Sequence, residues 1–196
     1  EAAAGLKMRG MDVTVLHLGP TLMERQLDAS AGYLLEKAFA QRGIKVITRA
    51  NTQAILGTER VEGVRLEGGM ELPADLFVMA VGIRPSSSLA KAAGLAVNRG
   101  IVVDDQMRTD DPAIYALGEC AEHRGSCYGL VAPLYEMGEV LARTLLGQPA
   151  AYQGSVTSTK LKVTGIDLFS AGDFAEGEDR EEIVLRDASA GVYKRL

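Results

Sequence analysis

Helix-like and strand-like segments alternate over the first fifty residues, and this alternation constrains the fold of the chain more than any other feature. The stretch EAAAGLKMRG predicts a helix that Gly10 ends, and DVTVLHL predicts a strand. DASAGYLLEKAFAQRG then carries apolar residues at helical spacing, and IKVIT predicts a second strand. The near-continuous apolar character of DVTVLHL is typical of a strand covered on both faces. The order helix, strand, helix, strand therefore predicts a parallel, doubly wound sheet.

The pattern changes after residue 50. Short alternating runs separated by glycines predict a small antiparallel meander, followed by a buried strand from Leu76 to Val81. A short helix (Ser87 to Ala93) and a strand (Ile101 to Val103) come next. From about residue 150, strands joined by glycine and aspartate turns predict a separate, smaller α+β module, in which residues 175–182 (AEGEDREE) predict a solvated acidic loop.

Composition excludes several classes of function. The net charge of −5 gives no support for a nucleic-acid or anionic-membrane surface. No apolar run approaches the roughly 20 residues that a membrane-spanning helix needs. The chain has only two cysteines, Cys120 and Cys127, without a CxxC motif or metal-ligand spacing, so we expect reduced thiols, no metal site and a cytoplasmic protein.

A short apolar run, Ile114 to Leu117, predicts a strand that ends in Gly118, Glu119 and Cys120. Ligands of α/β sheets bind at the carboxyl ends of strands, where a glutamate can accept hydrogen bonds from the hydroxyls of a sugar or ribityl chain. An ordinary surface glutamate at the end of a strand is an equally good interpretation. Cys120 has no partner cysteine, so Glu119 is the stronger candidate.

Two further segments are candidates for ligand contact. PLYEMG, which begins at Pro133, opens a predicted helix from about Leu134 to Leu146, and a helix N-terminus suits an anion or an electron-rich heterocycle. Proline is also common at helix starts for structural reasons. In AVGIRP, Gly82 either lets the backbone approach a ligand closely or simply makes a turn.

The amino-terminal unit is typical of the second half of a mononucleotide-binding βαβ unit, in which a glycine loop would precede Glu1. The strand that follows usually ends in an acidic residue that binds the ribose of NAD. His17 occupies that place here, and Arg25 lies further on, so the sequence leaves the choice between NADH and NADPH open. Neither His17 nor His123 belongs to a recognisable catalytic triad.

Taken in this order, the segments resemble the FAD- and NAD(P)H-dependent pyridine nucleotide-disulfide oxidoreductase superfamily. The stretch TDDPAIYALGE resembles the motif that closes the FAD domain of that superfamily, whose acidic residue binds the flavin ribityl chain. The resemblance assigns that role to Glu119, beside Gly118. It also assigns cofactor contact to Val81 and Gly82 in AVGIRP, to the helix start at Pro133 and Leu134, and, near the nicotinamide, to Glu1.

Three longer stretches, HLGPTLMERQLD, GECAEHRGSCYGLVAPLYEMG and STKLKVTGIDLFSAGDF, resemble the flavoprotein part of the large subunits of NAD(P)H-dependent nitrite reductases. In that family a hydride from NAD(P)H reduces FAD, and electrons then pass through iron–sulfur centres to sirohaem. Two cysteines ligate neither a cluster nor sirohaem, so those centres would lie elsewhere in the parent protein. The carboxy-terminal module resembles the third domain of rubredoxin and nitrite reductases.

The resemblance implies a partial Rossmann-like, three-layer α/β fold with a small carboxy-terminal α+β module. We predict a truncated NAD(P)-binding domain at 1–83, the last part of an FAD-binding domain at 84–149 and the start of a carboxy-terminal reductase domain at 150–196. EAAAGL begins without an N-cap and GVYKRL ends without a return strand, so we expect a fragment of a longer protein. We expect this fragment alone to bind neither FAD nor NAD(P)H tightly.

Three alternatives remain open at this point. The first is a rubredoxin or ferredoxin reductase, and the second is the electron-transfer subunit of an assimilatory nitrate reductase. The third, from a different class, is a non-catalytic assembly module with a degenerate nucleotide site, which His17 in place of an acid mildly favours. Sheet edges that the missing strands would leave exposed predict a homo-oligomer or a swapped dimer.

Overall fold

The structure, a computed structural model, describes residues 1–163, 165–172, 181–187 and 189–196. In chain order its elements are α1 (Ala2–Met8), β1 (Val13–Leu16), α2 (Ala29–Gln41), β2 (Ile44–Ile47), β3 (Thr52–Leu56), β4 (Gly63–Leu66), β5 (Glu71–Pro73), α3 (Ser88–Ala92), β6 (Ile101–Val103), β7 (Ala121–His123), α4 (Val131–Leu145), β8 (Ser158–Val163), β9 (Ile166–Ala171), β10 (Val184–Asp187) and β11 (Val192–Arg195). They form two compact units, residues 1–79 with 158–196, and residues 80–157.

The first unit confirms the predicted alternation of helices and strands. β1 and β2 pair in parallel, with Val13 opposite Ile44. Asp28 caps α2, because its carboxylate accepts a hydrogen bond of 2.8 Å from the Ala31 N–H. Gly43 follows the helix with φ of +69°, the left-handed conformation that ends many helices.

Antiparallel strands complete this unit. β3, β4 and β5 form the predicted meander, while β8 pairs with β9 and β10 pairs with β11. The core consists of buried apolar side chains on and around α2 and β2, against which partly buried residues of β8 and β9 pack: Leu22, Leu27, Leu35, Phe39 and Ile44, with Leu161, Ile166 and Leu168. The acidic loop predicted at 175–182 lies mostly outside the described residues.

The second unit is built around a parallel pair, β6 and β7, with Val102 opposite Glu122. α4 packs on this pair, and its Met137 is completely buried. The core of this unit consists of the buried side chains of Val103, Met107, Ala116, Ala121, Met137 and Tyr152. The loop 118–120 immediately precedes β7, so it lies at the amino end of this parallel pair and not at the carboxyl end of a strand, where the sequence predicts a ligand.

Two predicted strands are wrong in this structure. Leu76 to Val81 has no regular secondary structure and pairs with no strand among the described residues, and Leu76 and Val81 are 54% and 84% exposed. Apolar character alone does not create a strand, because a strand also needs a neighbour to pair with its backbone.

The run from Ile114 to Leu117 forms only an isolated bridge, between Tyr115 and Arg108. The Thr109 hydroxyl donates to the Ile114 carbonyl at 3.0 Å and closes a tight turn, so the run folds back on the preceding loop instead of entering a sheet. The strand of this region, β7, begins three residues after Gly118. No helix in the described part of the chain has the length and apolar character to cross a membrane.

Candidate cofactor-binding site

The loop before β7 presents a glycine and a carboxylate to solvent. Gly118 has φ of +90°, and a Cβ added there would meet no atom within 4 Å. This combination gives a ligand direct access to the backbone. Glu119 is exposed and makes no hydrogen bond or ion pair with any described residue. Its carboxylate therefore keeps its full capacity to accept hydrogen bonds from a ligand.

The first turn of α4 offers backbone donors. The helix begins at Val131, three residues before the predicted start, and its N-cap residue Leu130 makes no side-chain capping bond. The first turn has no acidic residue either. The N–H groups of Val131 and Ala132 are consequently free of side-chain caps at the positive end of a helix of 15 residues. Pro133, the third helical residue, has no N–H to donate.

An open groove lies along the exposed side of this helix. It has a volume of about 660 Å³, a size typical of small-molecule sites. Its lining combines apolar groups with two carboxylates: Leu117, Val131, Leu134, Tyr135, Glu136, Gly138 and Glu139. The groove therefore joins Leu134, a predicted site residue, to Leu117, the residue before Gly118.

The turn AVGIRP lies beside the approach to α4. Gly82 has φ of +88° with open space where a Cβ would stand, and Val81 is 84% exposed. The Ile83 side chain lies 3.0 Å from the position that a Cβ on Gly129 would occupy, just before the helix begins. The structure thus brings Gly82, Leu117 and the α4 N-terminus into one neighbourhood of the second unit.

In the first unit, the carboxyl end of β1 carries a paired histidine and glutamate. The His17 Nε2 and Glu24 Oε2 atoms are 2.5 Å apart, and this hydrogen bond lowers the pKa of the Glu24 carboxyl below its usual range. Glu1 is the exposed N-cap residue of α1, and its carbonyl accepts a hydrogen bond from the Gly5 N–H.

Sequence reasoning missed several of these groups. The sequence does not indicate Val131 and Ala132, because small apolar residues give no capping signal. It does not indicate Glu24 either, because only the folded loop brings Glu24 next to His17. Glu122 in β7 also escaped notice, although its buried carboxylate accepts hydrogen bonds from the Arg99 and Gly100 N–H groups at 2.8 and 2.9 Å.

Both cysteines are free thiols of intermediate exposure. Burial raises the pKa of the Cys127 thiol, which disfavours the reactive thiolate. The Cys120 thiol donates to the Leu117 carbonyl, with a separation of 3.4 Å. Among the described residues, no group of three or more His, Cys, Asp or Glu side chains could hold a metal ion.

The second unit therefore has the features of a dinucleotide- or flavin-binding α/β protein. An open glycine and an unpaired carboxylate follow Leu117, which lines one groove with Val131 of the uncapped helix start. Such donors and acceptors fit the hydroxyls and the polar ring of a flavin.

Comparison with known families defines the class further. Residues 1–145 match the pyridine nucleotide-disulphide oxidoreductase family, and residues 158–196 match the rubredoxin NAD+ reductase C-terminal domain. The chain belongs to the pyridine nucleotide-disulphide oxidoreductase family, which confirms the predicted Rossmann-like fold class and implies the use of FAD and a nicotinamide nucleotide.

Individual relatives agree with this assignment. Over its whole length the chain is 53% identical to a nitrite reductase (NAD(P)H) of Bacillus subtilis strain 168, and 47% identical to an assimilatory nitrate reductase electron transfer subunit of the same organism. These matches cover 24% and 25% of those two proteins, so the chain spans about a quarter of the length of the curated relatives it matches. A solved structure of the covalent putidaredoxin reductase–putidaredoxin complex superposes with a TM-score of 0.83 at 29% identity, over 94% of this chain and 46% of that one.

Proposed function

We propose that this chain is part of an NAD(P)H-dependent flavin reductase that passes electrons toward the reduction of nitrite to ammonia. The single observation that carries the proposal is the unpaired Glu119 carboxylate, beside open Gly118 and the uncapped α4 N-terminus. The 53% identity over the whole chain to a nitrite reductase supports the choice of acceptor. Iron–sulfur and sirohaem centres would lie in other parts of the whole protein, because two cysteines are too few to hold them.

Each of these groups has a separate role toward the flavin. With FAD bound, Glu119 would accept hydrogen bonds from the ribityl hydroxyls, and the Val131 and Ala132 N–H groups would donate to the electron-rich edge of the ring system. Gly82 and Gly118 would allow the ligand to approach the backbone, and Leu134 would contact it from the groove. FAD, when bound at these residues, would supply the hydride-accepting and single-electron chemistry.

The three-part division at residues 83 and 149, with a truncated NAD(P)-binding domain first, belongs to this proposal. So do the assignment of Glu1 to the nicotinamide region, the formation of a homo-oligomer and a cytoplasmic location. Isolated as these 196 residues, the chain is expected to bind neither cofactor tightly, and a preparation that contains stoichiometric flavin would contradict that expectation.

The test of the flavin site uses the full-length protein that contains this sequence. We expect Glu119→Ala to weaken FAD binding about tenfold or more, because it removes a charged acceptor from the ribityl hydroxyls. Glu119→Asp keeps a carboxylate and should retain most of the affinity, and Glu59→Ala, at an exposed turn of the other unit, is the matched control. An unchanged FAD dissociation constant in Glu119→Ala, measured by flavin fluorescence, would refute the role of Glu119.

Electron transfer is tested on the same protein by anaerobic titration with NADH and NADPH. Bleaching of the flavin by either nucleotide, followed by its recovery when nitrite is added, is the expected result. Bleaching without recovery would favour a rubredoxin or ferredoxin reductase, or a nitrate reductase electron-transfer subunit, which the 47% identity to such a subunit supports as the second candidate. No bleaching with either nucleotide would favour a non-catalytic assembly module.

A further inference from the structure

The carboxyl end of β1 corresponds to the part of a dinucleotide-binding unit that binds the adenosine ribose. In such a unit, the strand after the glycine-loop helix usually ends in an acidic residue that binds the 2′-hydroxyl of NAD. Here α1 leads into β1, and the residue that follows β1 is His17, whose N–H pairs with the Ile47 carbonyl at 2.9 Å. The usual acid is therefore absent from the strand itself.

A carboxylate nevertheless reaches this place from the following loop. Glu24 is paired with His17 at 2.5 Å, and the two side chains are 40% and 29% exposed, so a ligand can reach both. A Cβ added to Gly19 would lie 2.5 to 2.8 Å from the Glu24 carboxylate group. Glycine at residue 19 leaves room for the carboxylate, and a Cβ there would force the carboxylate to shift. The lowered pKa of Glu24 keeps it ionised at neutral pH.

We propose that Glu24, positioned by His17 and admitted by Gly19, replaces the missing acid of β1, accepts hydrogen bonds from the adenosine ribose of the nicotinamide nucleotide and makes the site select NADH over NADPH. This inference rests on the proposed function, since it specifies the nucleotide of that same reaction. An ionised carboxylate accepts a hydrogen bond from a 2′-hydroxyl but repels a 2′-phosphate. It therefore strengthens the binding of NADH and weakens the binding of NADPH.

Two arginines belong to the same loop region, and the charge of Arg25 contributes to the lowered pKa of Glu24. Arg25 follows Glu24 and is exposed, and exposed Arg49 donates its backbone N–H to the Gly19 carbonyl at 3.0 Å. Both guanidinium groups would attract a 2′-phosphate. The Glu24 carboxylate therefore determines whether the site prefers NADH or NADPH, and its removal should leave a site that prefers NADPH.

The test measures binding without hydride transfer, on the full-length protein. Calorimetric titration with ADP-ribose and with 2′-phospho-ADP-ribose gives two dissociation constants whose ratio reports the selection. We expect the wild type to prefer ADP-ribose, and Glu24→Gln to weaken ADP-ribose binding about tenfold while it strengthens binding of the phosphorylated analogue. Gly19→Ala should displace the carboxylate and act in the same direction. Glu59→Gln is the control for the loss of a surface carboxylate.

A double variant separates the selection from any general damage to the loop. Glu24→Gln combined with His17→Asp returns an acid to the strand end, and we expect it to restore the preference for ADP-ribose. An unchanged ratio in Glu24→Gln, a wild type that prefers the phosphorylated analogue, or a wild type that binds neither analogue would each overturn the inference. Flavin bleaching by NADH and NADPH, measured separately, decides the proposed function independently of these outcomes.

Discussion

Replacement of Glu122 tests how much one buried carboxylate contributes to the second unit. Glu122 lies in the middle of β7 and is 6% exposed. Its Oε2 accepts from the Arg99 and Gly100 N–H groups at 2.8 and 2.9 Å, and its Oε1 accepts from Asn98 Nδ2 at 3.2 Å. The carboxylate thereby holds the loop that leads into β6.

The two substitutions at this position should differ in cost. Glu122→Gln can leave its carbonyl oxygen on both backbone N–H groups and turn its amide toward Asn98, whose own amide can flip to accept. Only the charge assistance is then lost, and we expect the free energy of unfolding to fall by about 1–2 kcal/mol. Glu122→Ala leaves the buried Gly100 N–H without an acceptor, so the expected loss is about 3–4 kcal/mol.

Urea unfolding of the 196-residue chain at pH 7, followed by circular dichroism, measures both values. The hydrogen bond from the Gly100 N–H, with those from Asn98 and Arg99, lowers the pKa of the Glu122 carboxyl. A carboxyl whose pKa is lowered by folding stabilises the folded state at any pH above the ordinary pKa of a glutamate. The protein loses this stabilisation as the pH falls through the pKa of the folded state. The gap between wild type and Glu122→Gln should therefore narrow below about pH 4. A Glu122→Ala variant within about 0.5 kcal/mol of wild type would refute this account of the loop.

Two further predictions concern the same unit. Met137→Ala should lower the free energy of unfolding by about 2–5 kcal/mol, because Met137 is completely buried and the change leaves a cavity. Met8→Ala, at a position that is 75% exposed, should lower it far less. Equal losses for the two variants in urea titrations would contradict the assigned core. Alkylation of Cys127 in a Cys120→Ser background should be slower in the folded than in the denatured chain, since burial raises the pKa of its thiol, and equal rates would show that the thiol is accessible.

The sequence predicted what local chemistry determines. The helical spacing of apolar residues in DASAGYLLEKAFAQRG predicted a helix, and the structure confirms it as α2. The pairing of β1 with β2 followed from the alternation of elements, and it is also confirmed. The strand predicted from Leu76 to Val81 failed because pairing depends on a neighbouring backbone, which the apolar pattern of one segment does not report.

The candidate site shows the same division between local and distant information. Glu122 stands three residues after Glu119, the carboxylate that the sequence predicts as a ligand contact. The difference between them arises from residues 98–100, whose donor groups already occupy the oxygens of Glu122 and leave those of Glu119 free. Glu24 is an intermediate case, because His17 and its own backbone N–H donate to its carboxylate while the side chain stays 40% exposed. A carboxylate of this protein is thus available to a ligand only where hydrogen-bond donors of the protein do not already occupy its oxygens. The order of residues alone does not reveal this.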